Sequence, residues 1–109
     1  MIRDDTVYLR HVRDSILRIQ EYVEGVDEAE FKRKTMIQDA VIRQIEIIGE
    51  AVKRLSEPFR TSYPSVPWSD IARMRDKLIH DYFGVDIEKV WLTATEDIPL
   101  LKAEIDKLL

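Results

Sequence analysis

The sequence predicts an all-α protein, built as an antiparallel bundle of four to five helices with short connections. Apolar residues recur at spacings of three and four along most of the chain, and no segment alternates with period two for more than a few residues. Only three glycines and four prolines occur among 109 residues, while 35% of the residues are charged. This composition favours long amphipathic helices, and the length predicts one domain over residues 1–109.

The first predicted helix runs from about Asp5 to Glu24. Asp4 and Asp5 place negative charge and capping oxygens at its start, where the unpaired N–H groups of a helix favour them. Gly25 suits the position just after its end. We expect its apolar stripe to face the core. The stripe consists of Leu9, Val12, Ile16, Ile19 and Val23.

Two capping patterns follow the first helix. Asp27, followed three residues later by a glutamate, predicts a short helix that ends near Arg33. Thr35, followed three residues later by a glutamine, predicts the start of a long helix that ends near Ser56. Gly49 inside this long helix costs about 1 kcal/mol relative to alanine. It either permits the close approach of another helix or is simply tolerated.

Three prolines within ten residues predict the main loop of the chain; they are Pro58, Pro64 and Pro67. A third helix is expected to begin near Pro67 and to bury Ile71, Met74 and Leu78. Gly84 then forms a turn, and Asp86 caps the next helix. Pro99 either kinks that helix or lies in the first turn of a last helix over residues 100–109.

Charge and composition exclude several classes of function. The net charge of −4 has the wrong sign for a protein that coats nucleic acid generally. Cysteine is absent, so disulfides, thiolate nucleophiles and cysteine metal sites are excluded. No apolar run approaches the roughly 20 residues of a membrane span, and the acidic N-terminus lacks the pattern of a secretory signal. We therefore expect a soluble, cytoplasmic protein with no metal and no cofactor.

Acid–base chemistry near neutral pH points to histidine, and the chain has two. His11 lies one residue off the apolar stripe of the first helix and is predicted to be an ordinary surface residue. His80 stands four residues after Asp76, which puts both on one helical face, where a carboxylate can orient an imidazole. Arg75 precedes this pair and Tyr82 follows it. On spacing alone, such charged residues most often form a solvated helix face.

The same segment resembles a known family. Arg75, His80 and Tyr82 match the Arg-x4-His-x-Tyr motif of the HEPN superfamily, in the form found in its HepT-like toxins. Asp76 stands where many relatives have asparagine, which changes the local charge. Further segments match over nearly the whole chain. They are Arg13-Asp14, Ile48-Gly49-Glu50-Ala51, Pro67-Trp68 with Ile71, His80 through Asp86, and Val90-Trp91.

The resemblance implies a toxin–antitoxin system of a type VII-like kind. HEPN proteins of this type are all-helical homodimers in which the motifs of two protomers meet at a shared cleft, and they resemble metal-independent endoribonucleases. HepT-like members are encoded with an MntA-type minimal nucleotidyltransferase antitoxin, which is associated with AMP transfer from ATP to the motif tyrosine, here Tyr82. The implied substrate is RNA, with transfer RNA as the family-level candidate.

The implied site residues suit this chemistry. RNA cleavage by the internal 2′-hydroxyl needs a base, an acid and a cation for the charge on phosphorus. His80 can act as base or acid, and Arg75 can hold the phosphate in a bidentate fork. Asp76 is predicted to orient His80, and a dimer would double the supply of histidine. Arg73 and Lys77 are predicted to contact the substrate.

Basic residues of the long helix offer two interpretations. Arg43, Lys53 and Arg54 could extend the RNA-binding patch, or they could pair along the helix surface, as Glu50 and Arg54 can at a spacing of four. Glu46 and Glu50 are not predicted to be catalytic.

Two alternatives to a nuclease stay open at this level. The first is a non-catalytic HEPN module that binds a nucleotide or contacts the transferase. The second is a purely structural helical dimer, in which Asp76 and His80 are a surface pair. The sequence discriminates only partly, because an intact set of arginine, histidine and tyrosine argues against a decayed site without proving turnover.

Overall fold

A computed structural model describes residues 3–109, apart from the side chains of Arg3 and Tyr82. Within these residues the chain is helical and contains no strand, which confirms the predicted all-α class. Met1 and Ile2, which belong to the N-terminus predicted to lack a secretory signal, lie outside the described residues. The α-helices are α1 (Arg3–Val23), α2 (Glu28–Arg33), α3 (Thr35–Arg54), α4 (Glu57–Ser62), α5 (Trp68–His80), α6 (Ile87–Leu92) and α7 (Ile98–Leu108). A 3-10 turn, Tyr82–Gly84, follows α5, and a π-helical segment, Thr93–Asp97, joins α6 to α7.

Helix α3 lies at the centre of the bundle, where α1 and α5 both pack against it. The predicted stripe of α1 enters the core, and four of its five residues are buried. Burying such side chains stabilises the fold by roughly 1.5–3 kcal/mol each. The core residues from these two helices are Leu9, Val12, Ile16 and Ile19 of α1, and Val41, Ile45, Ile48, Ala51 and Val52 of α3.

A buried carboxylate ties the start of α1 to the end of α3. Asp5 is only 3% exposed, and its two oxygens accept hydrogen bonds from the backbone N–H and the hydroxyl of Ser56, both at 2.8 Å. These contacts show that α1 and α3 run antiparallel. They also give Asp5 a role beyond the predicted helix capping, because it fixes the junction between α3 and α4. We call this contact the Asp5 clasp.

The junction between α2 and α3 confirms one predicted cap and corrects the other. Asp27 accepts a hydrogen bond from the backbone N–H of Glu30 at 2.8 Å, as predicted. The prediction of a capping box at Thr35 is wrong. The N-cap residue of α3 is Lys34, whose side chain makes no capping hydrogen bond. Gln38 instead donates to two carbonyl oxygens at the end of α2. Since one residue separates the two helices, these unpaired carbonyls lie within its reach.

The region of the three prolines contains a helix that the sequence analysis assigned to a loop. Ser56 caps α4 by accepting a hydrogen bond from the N–H of Phe59, and Pro58 lies in the first turn. Proline is tolerated there because its missing N–H would have no helical partner. The indole N–H of Trp68 donates to the carbonyl of Tyr63 at 3.0 Å and thereby fixes the start of α5.

The C-terminal elements follow one another without a break. Asp86 caps α6 as predicted, by accepting from the N–H of Lys89 at 3.2 Å. Pro99 lies in the first turn of α7, directly after the π-helical segment. The wider turn accommodates a residue that cannot donate a backbone hydrogen bond. No helix within residues 3–109 is both long enough and apolar enough to cross a membrane.

Candidate active site

Helix α5 crosses α3 at Gly49, and this crossing positions Arg75. A Cβ atom on Gly49 would overlap the Cβ of Arg75 and would lie 2.8 Å from its Cγ and 3.3 Å from the carbonyl oxygen of Ile71. The stem of Arg75 therefore occupies the space that any other residue at position 49 would need. Of the two interpretations of Gly49, the structure supports the close approach of another helix.

Two carboxylates hold the guanidinium of Arg75. Its Nη2 lies 2.9 Å from Oε2 of Glu50, and its Nη1 lies 3.1 Å from Oδ1 of Asp76. The Arg75 side chain is 23% exposed, and its Nε is buried with no hydrogen-bond partner among the described residues. Arg75 is thus held from α3 and from its own helix, and its side chain remains partly exposed.

Glu50 joins two arginines. Its Oε1 accepts from Nε of Arg54 at 3.1 Å, while its Oε2 pairs with Arg75. The Tyr8 hydroxyl first, and then Glu50, raise the pKa of Arg54 above its ordinary value. The pairing of Glu50 with Arg54 was predicted as one of two interpretations, but its contact with Arg75 was not. The only signal in the sequence is the adjacency of Gly49 and Glu50 in one motif.

Asp76 contacts cations and not the imidazole. Its Oδ1 accepts from Nζ of Lys53 at 2.9 Å and from Arg75. The hydrogen bond from Lys53 first, and then that from Arg75, lower the pKa of Asp76 below its ordinary value of 3.8. The carboxylate is therefore ionised throughout the neutral range.

His80 is exposed at the end of α5. No hydrogen bond or ion pair to Asp76 is found within the described part of the chain, so the structure does not bring the predicted orienting pair together. Asp76 is bound instead by Lys53 of α3, although the spacing on α5 predicted that it would orient the imidazole. The side chain of Tyr82, the predicted AMP acceptor, lies outside the described residues.

Arg73 and Lys77 lie on a different face of α5 from Arg75. Both are exposed, and Arg73 pairs with Asp70 one turn earlier. They line a groove of about 1140 Å³ between α5 and the C-terminal helices, and Arg75 does not contribute to it. The structure therefore separates the two predicted substrate-binding residues from the predicted phosphate ligand.

Arg75 contributes instead to a smaller groove of about 460 Å³, formed by α1, α3 and α5. His11 is exposed, which agrees with the predicted surface or boundary position, and it also lines this groove. Nothing in the sequence indicates this, since residues 11 and 75 are far apart and only the packing of α1 on α3 brings them to one groove. The lining residues are Tyr8, His11, Arg43, Glu46, Ile47, Glu50, Ala51, Arg54, Arg75 and Ile79.

The fold and the site together are those of an all-α protein with a cation and a titratable base on one helix. The chain is an all-α protein that presents a fixed arginine and an exposed histidine five residues apart on one helix. Comparison with known families then gives a match over residues 12–108 to the family described as "Ribonuclease HepT-like". No solved structure matches the chain.

Relatives cover the whole chain at substantial identity. A Methanocaldococcus jannaschii protein, named as a gamma-glutamylcyclotransferase and candidate RNase, is 48% identical over 109 residues. These are 100% of this chain but 49% of that protein, so the chain spans about half the length of this relative. The "Probable ribonuclease HepT" of Thermococcus cleftensis is 44% identical over 99% of this chain and 98% of its own. A candidate RNase of Caldanaerobacter subterraneus is 41% identical over 94% of this chain and 91% of its own.

The chain belongs to the HepT-like ribonuclease family. This confirms the family that the Arg-x4-His-x-Tyr motif indicated, and it places the activity of the chain in the class of ribonucleases.

Proposed function

We propose that this ribonuclease is a metal-independent endonuclease and the toxin of a toxin–antitoxin pair, and that it acts as a homodimer. The observation that carries the proposal is the presence on one helix, α5, of a fixed guanidinium, Arg75, and an exposed imidazole, His80. An arginine held by two carboxylates is positioned before a phosphate arrives. An exposed histidine is open to a substrate hydroxyl.

The chemistry follows from these two groups. The imidazole of His80 takes the proton of a ribose 2′-hydroxyl, and the 2′-oxygen forms a bond to phosphorus. The bond from phosphorus to the 5′-oxygen breaks, and that oxygen takes a proton from the partner's His80. The products are a 2′,3′-cyclic phosphate and a 5′-hydroxyl, so no water or metal enters this step. Arg75 stabilises the negative charge that develops on the phosphoryl oxygens.

A homodimer would supply both proton-transfer groups. One chain carries one histidine in the motif, and a single imidazole cannot be base and acid in the same cleavage event. Two motifs that meet at a shared cleft provide one of each. The kind of RNA that is cut, with transfer RNA as the candidate, is inferred from the family resemblance.

Regulation by AMP transfer to Tyr82 completes the proposal. Tyr82 follows His80 by two residues. An AMP group on its hydroxyl would place bulk and a negative phosphate beside the cation that must bind RNA, and like charge disfavours that binding. The proposed donor is ATP, and the proposed enzyme is an MntA-type minimal nucleotidyltransferase; pyrophosphate leaves when the tyrosine oxygen attacks the α-phosphorus.

One experiment tests activity and regulation together. The purified chain and its Tyr82→Phe variant are incubated with the candidate transferase and ATP, their intact masses are measured, and each sample is then added to RNA in excess EDTA. We expect the wild-type chain to gain one or more AMP units and to lose cleavage. The Tyr82→Phe variant should gain none and should keep cutting.

The controls separate the parts of the proposal. Untreated wild-type chain should cut RNA in EDTA and leave 2′,3′-cyclic ends, and cleavage that needs an added divalent ion would contradict metal independence. AMP on the Tyr82→Phe variant would assign the modification elsewhere. A folded chain that cuts no RNA but binds ATP or the transferase would favour the non-catalytic module.

Asp76→Asn is expected to retain cleavage within about threefold, since Glu50 still holds Arg75 and the exposed ion pairs of Asp76 contribute little. It should also leave the pH dependence of cleavage in place. The lowered pKa means that the ion pairs of Asp76 are fully present above about pH 4 and are lost only as the pH falls through the lower folded-state value. The measurement is the rate from pH 5 to 9, with Asp70→Asn as the matched control on the same helix. A shift of the acidic limb by one pH unit in Asp76→Asn alone would instead show that Asp76 acts on His80.

A further inference from the structure

The groove that Arg75 helps to line has the composition of a binding site, and the proposed reaction uses none of its other residues. We propose that it is a nucleotide subsite, which holds the base and phosphate next to the scissile phosphate of a single-stranded RNA. The inference rests on the proposed function, because it takes Arg75 as the ligand of the scissile phosphate. We call it the α1 groove and define it by Tyr8, His11, Ile47, Arg54, Arg75 and Ile79.

One wall of the α1 groove is aromatic. Tyr8 and His11 stand three residues apart on α1, with ring centroids separated by 6.5 Å and planes inclined at 43°. Ile47 and the 40% exposed Ile79 add aliphatic surface from the other two helices. A wall of this kind suits a nucleobase, since every base has a π face that stacks on aromatic side chains whatever the sequence.

The rim of the α1 groove carries a positive excess, in a chain whose net charge is −4. Three arginines line it against two glutamates, Glu46 and Glu50. Arg54 is 59% exposed, and its guanidinium interacts with Glu50 through Nε and with the Tyr8 hydroxyl, so this cation is held beside the aromatic wall and still faces the solvent. This local positive excess favours the binding of a nucleic acid backbone.

Glu50 makes the α1 groove continuous with the proposed active site. Because one carboxylate holds both Arg54 and Arg75, the two guanidiniums are fixed relative to each other. Two cations held in this way can take neighbouring phosphates of one strand, with the intervening base against Tyr8. A duplex would not fit this arrangement, because its bases are stacked on one another and not available to the ring.

The test measures binding without cleavage. A fluorescent single-stranded RNA with 2′-O-methyl groups throughout cannot form the 2′-oxygen nucleophile, so its anisotropy reports affinity alone. We expect Tyr8→Leu to weaken binding about 10-fold through lost stacking. Arg54→Gln should weaken binding about 5-fold and reduce the dependence of affinity on salt by about one counterion. Tyr63→Leu and Arg18→Gln replace an exposed tyrosine and an exposed arginine outside the groove, and both should stay within about twofold of the wild-type chain.

The outcomes separate this inference from the proposed function. Unchanged affinity in Tyr8→Leu and Arg54→Gln, with a wild-type chain that cuts unmodified RNA, would overturn the subsite alone. Weakened affinity in both variants, with a wild-type chain that binds RNA and cuts none, would support the groove as an RNA-binding site but overturn the nuclease and, with it, the placement beside a scissile phosphate. Dissociation of a dimer by both variants with unchanged RNA affinity would show that the groove is a contact between copies of the chain. If Tyr8→Leu fails to fold by circular dichroism, the exposed Arg54→Gln decides the question.

Discussion

The variant His80→Ala is expected to lose RNA cleavage by about two to four orders of magnitude, the contribution typical of a general acid or base. Its fold should be unaffected, because the imidazole is exposed and makes no hydrogen bond or ion pair within the described part of the chain. In the proposed dimer, one substitution removes both proton-transfer groups. The measurements are the initial rate of cleavage and the melting temperature of the purified variant.

A control on another helix makes this result specific. Arg18→Ala removes an exposed charge that lies outside both grooves and should cut RNA at the wild-type rate. Added imidazole should restore part of the activity of His80→Ala, since a small base can enter the space that the side chain left. A folded His80→Ala variant with full activity would refute the assignment of His80 and would favour a structural role for this surface.

Gly49→Ala is expected to destabilise the chain by about 2 kcal/mol, the cost typical of adding a methyl group to a filled space. For a chain of this size that lowers the melting temperature by roughly 10 °C. The added Cβ overlaps that of Arg75, so α5 must move away from α3 and carry Arg75 with it. Since displacements near 1 Å can cost about 100-fold in rate, cleavage should fall even at temperatures where the variant is folded.

Gly25→Ala is the matched control for this prediction. Gly25 has a φ angle of +72°, and a Cβ there would meet nothing within 4 Å. The substitution should therefore cost about 1–2 kcal/mol of backbone strain and leave Arg75 in place. Both variants should melt earlier than the wild-type chain, but only Gly49→Ala should cut slowly when folded. Equal cleavage rates in the two folded variants would show that the crossing at Gly49 has no influence on the site.

The extent of the helices could be predicted from the sequence because their signals are local. Asp27 and Asp86 cap the helices that follow them, and the stripe of α1 enters the core as its spacing predicted. The failures occur where several local signals compete. Thr35 and Gln38 form a capping pattern, yet the side chain of Gln38 donates its hydrogen bonds to carbonyls of the preceding helix. Three prolines indicate a loop, yet one of them fits a helical first turn.

The candidate site could be predicted in its residues but not in its contacts. The motif names Arg75 and His80, and the family is confirmed. The spacing along α5 predicted that Asp76 pairs with His80. Asp76 instead binds Lys53, which lies 23 residues away in the sequence and on another helix. The contact of Glu50 with Arg75 likewise joins two different helices, α3 and α5. Contacts between helices depend on how the helices cross, and the apolar periodicity of each helix alone does not predict the crossing.

The Asp5 clasp has a consequence for the mobility of α1. The first turn of a helix is ordinarily where fraying begins, because its N–H groups lack helical partners. Here that turn is fastened by two hydrogen bonds from Ser56 to Asp5, which stands only three residues before Tyr8. Fraying from this end must break the clasp before it reaches Tyr8 and His11. The wall of the α1 groove is thus preorganised, and a ligand that binds there loses little free energy to ordering it.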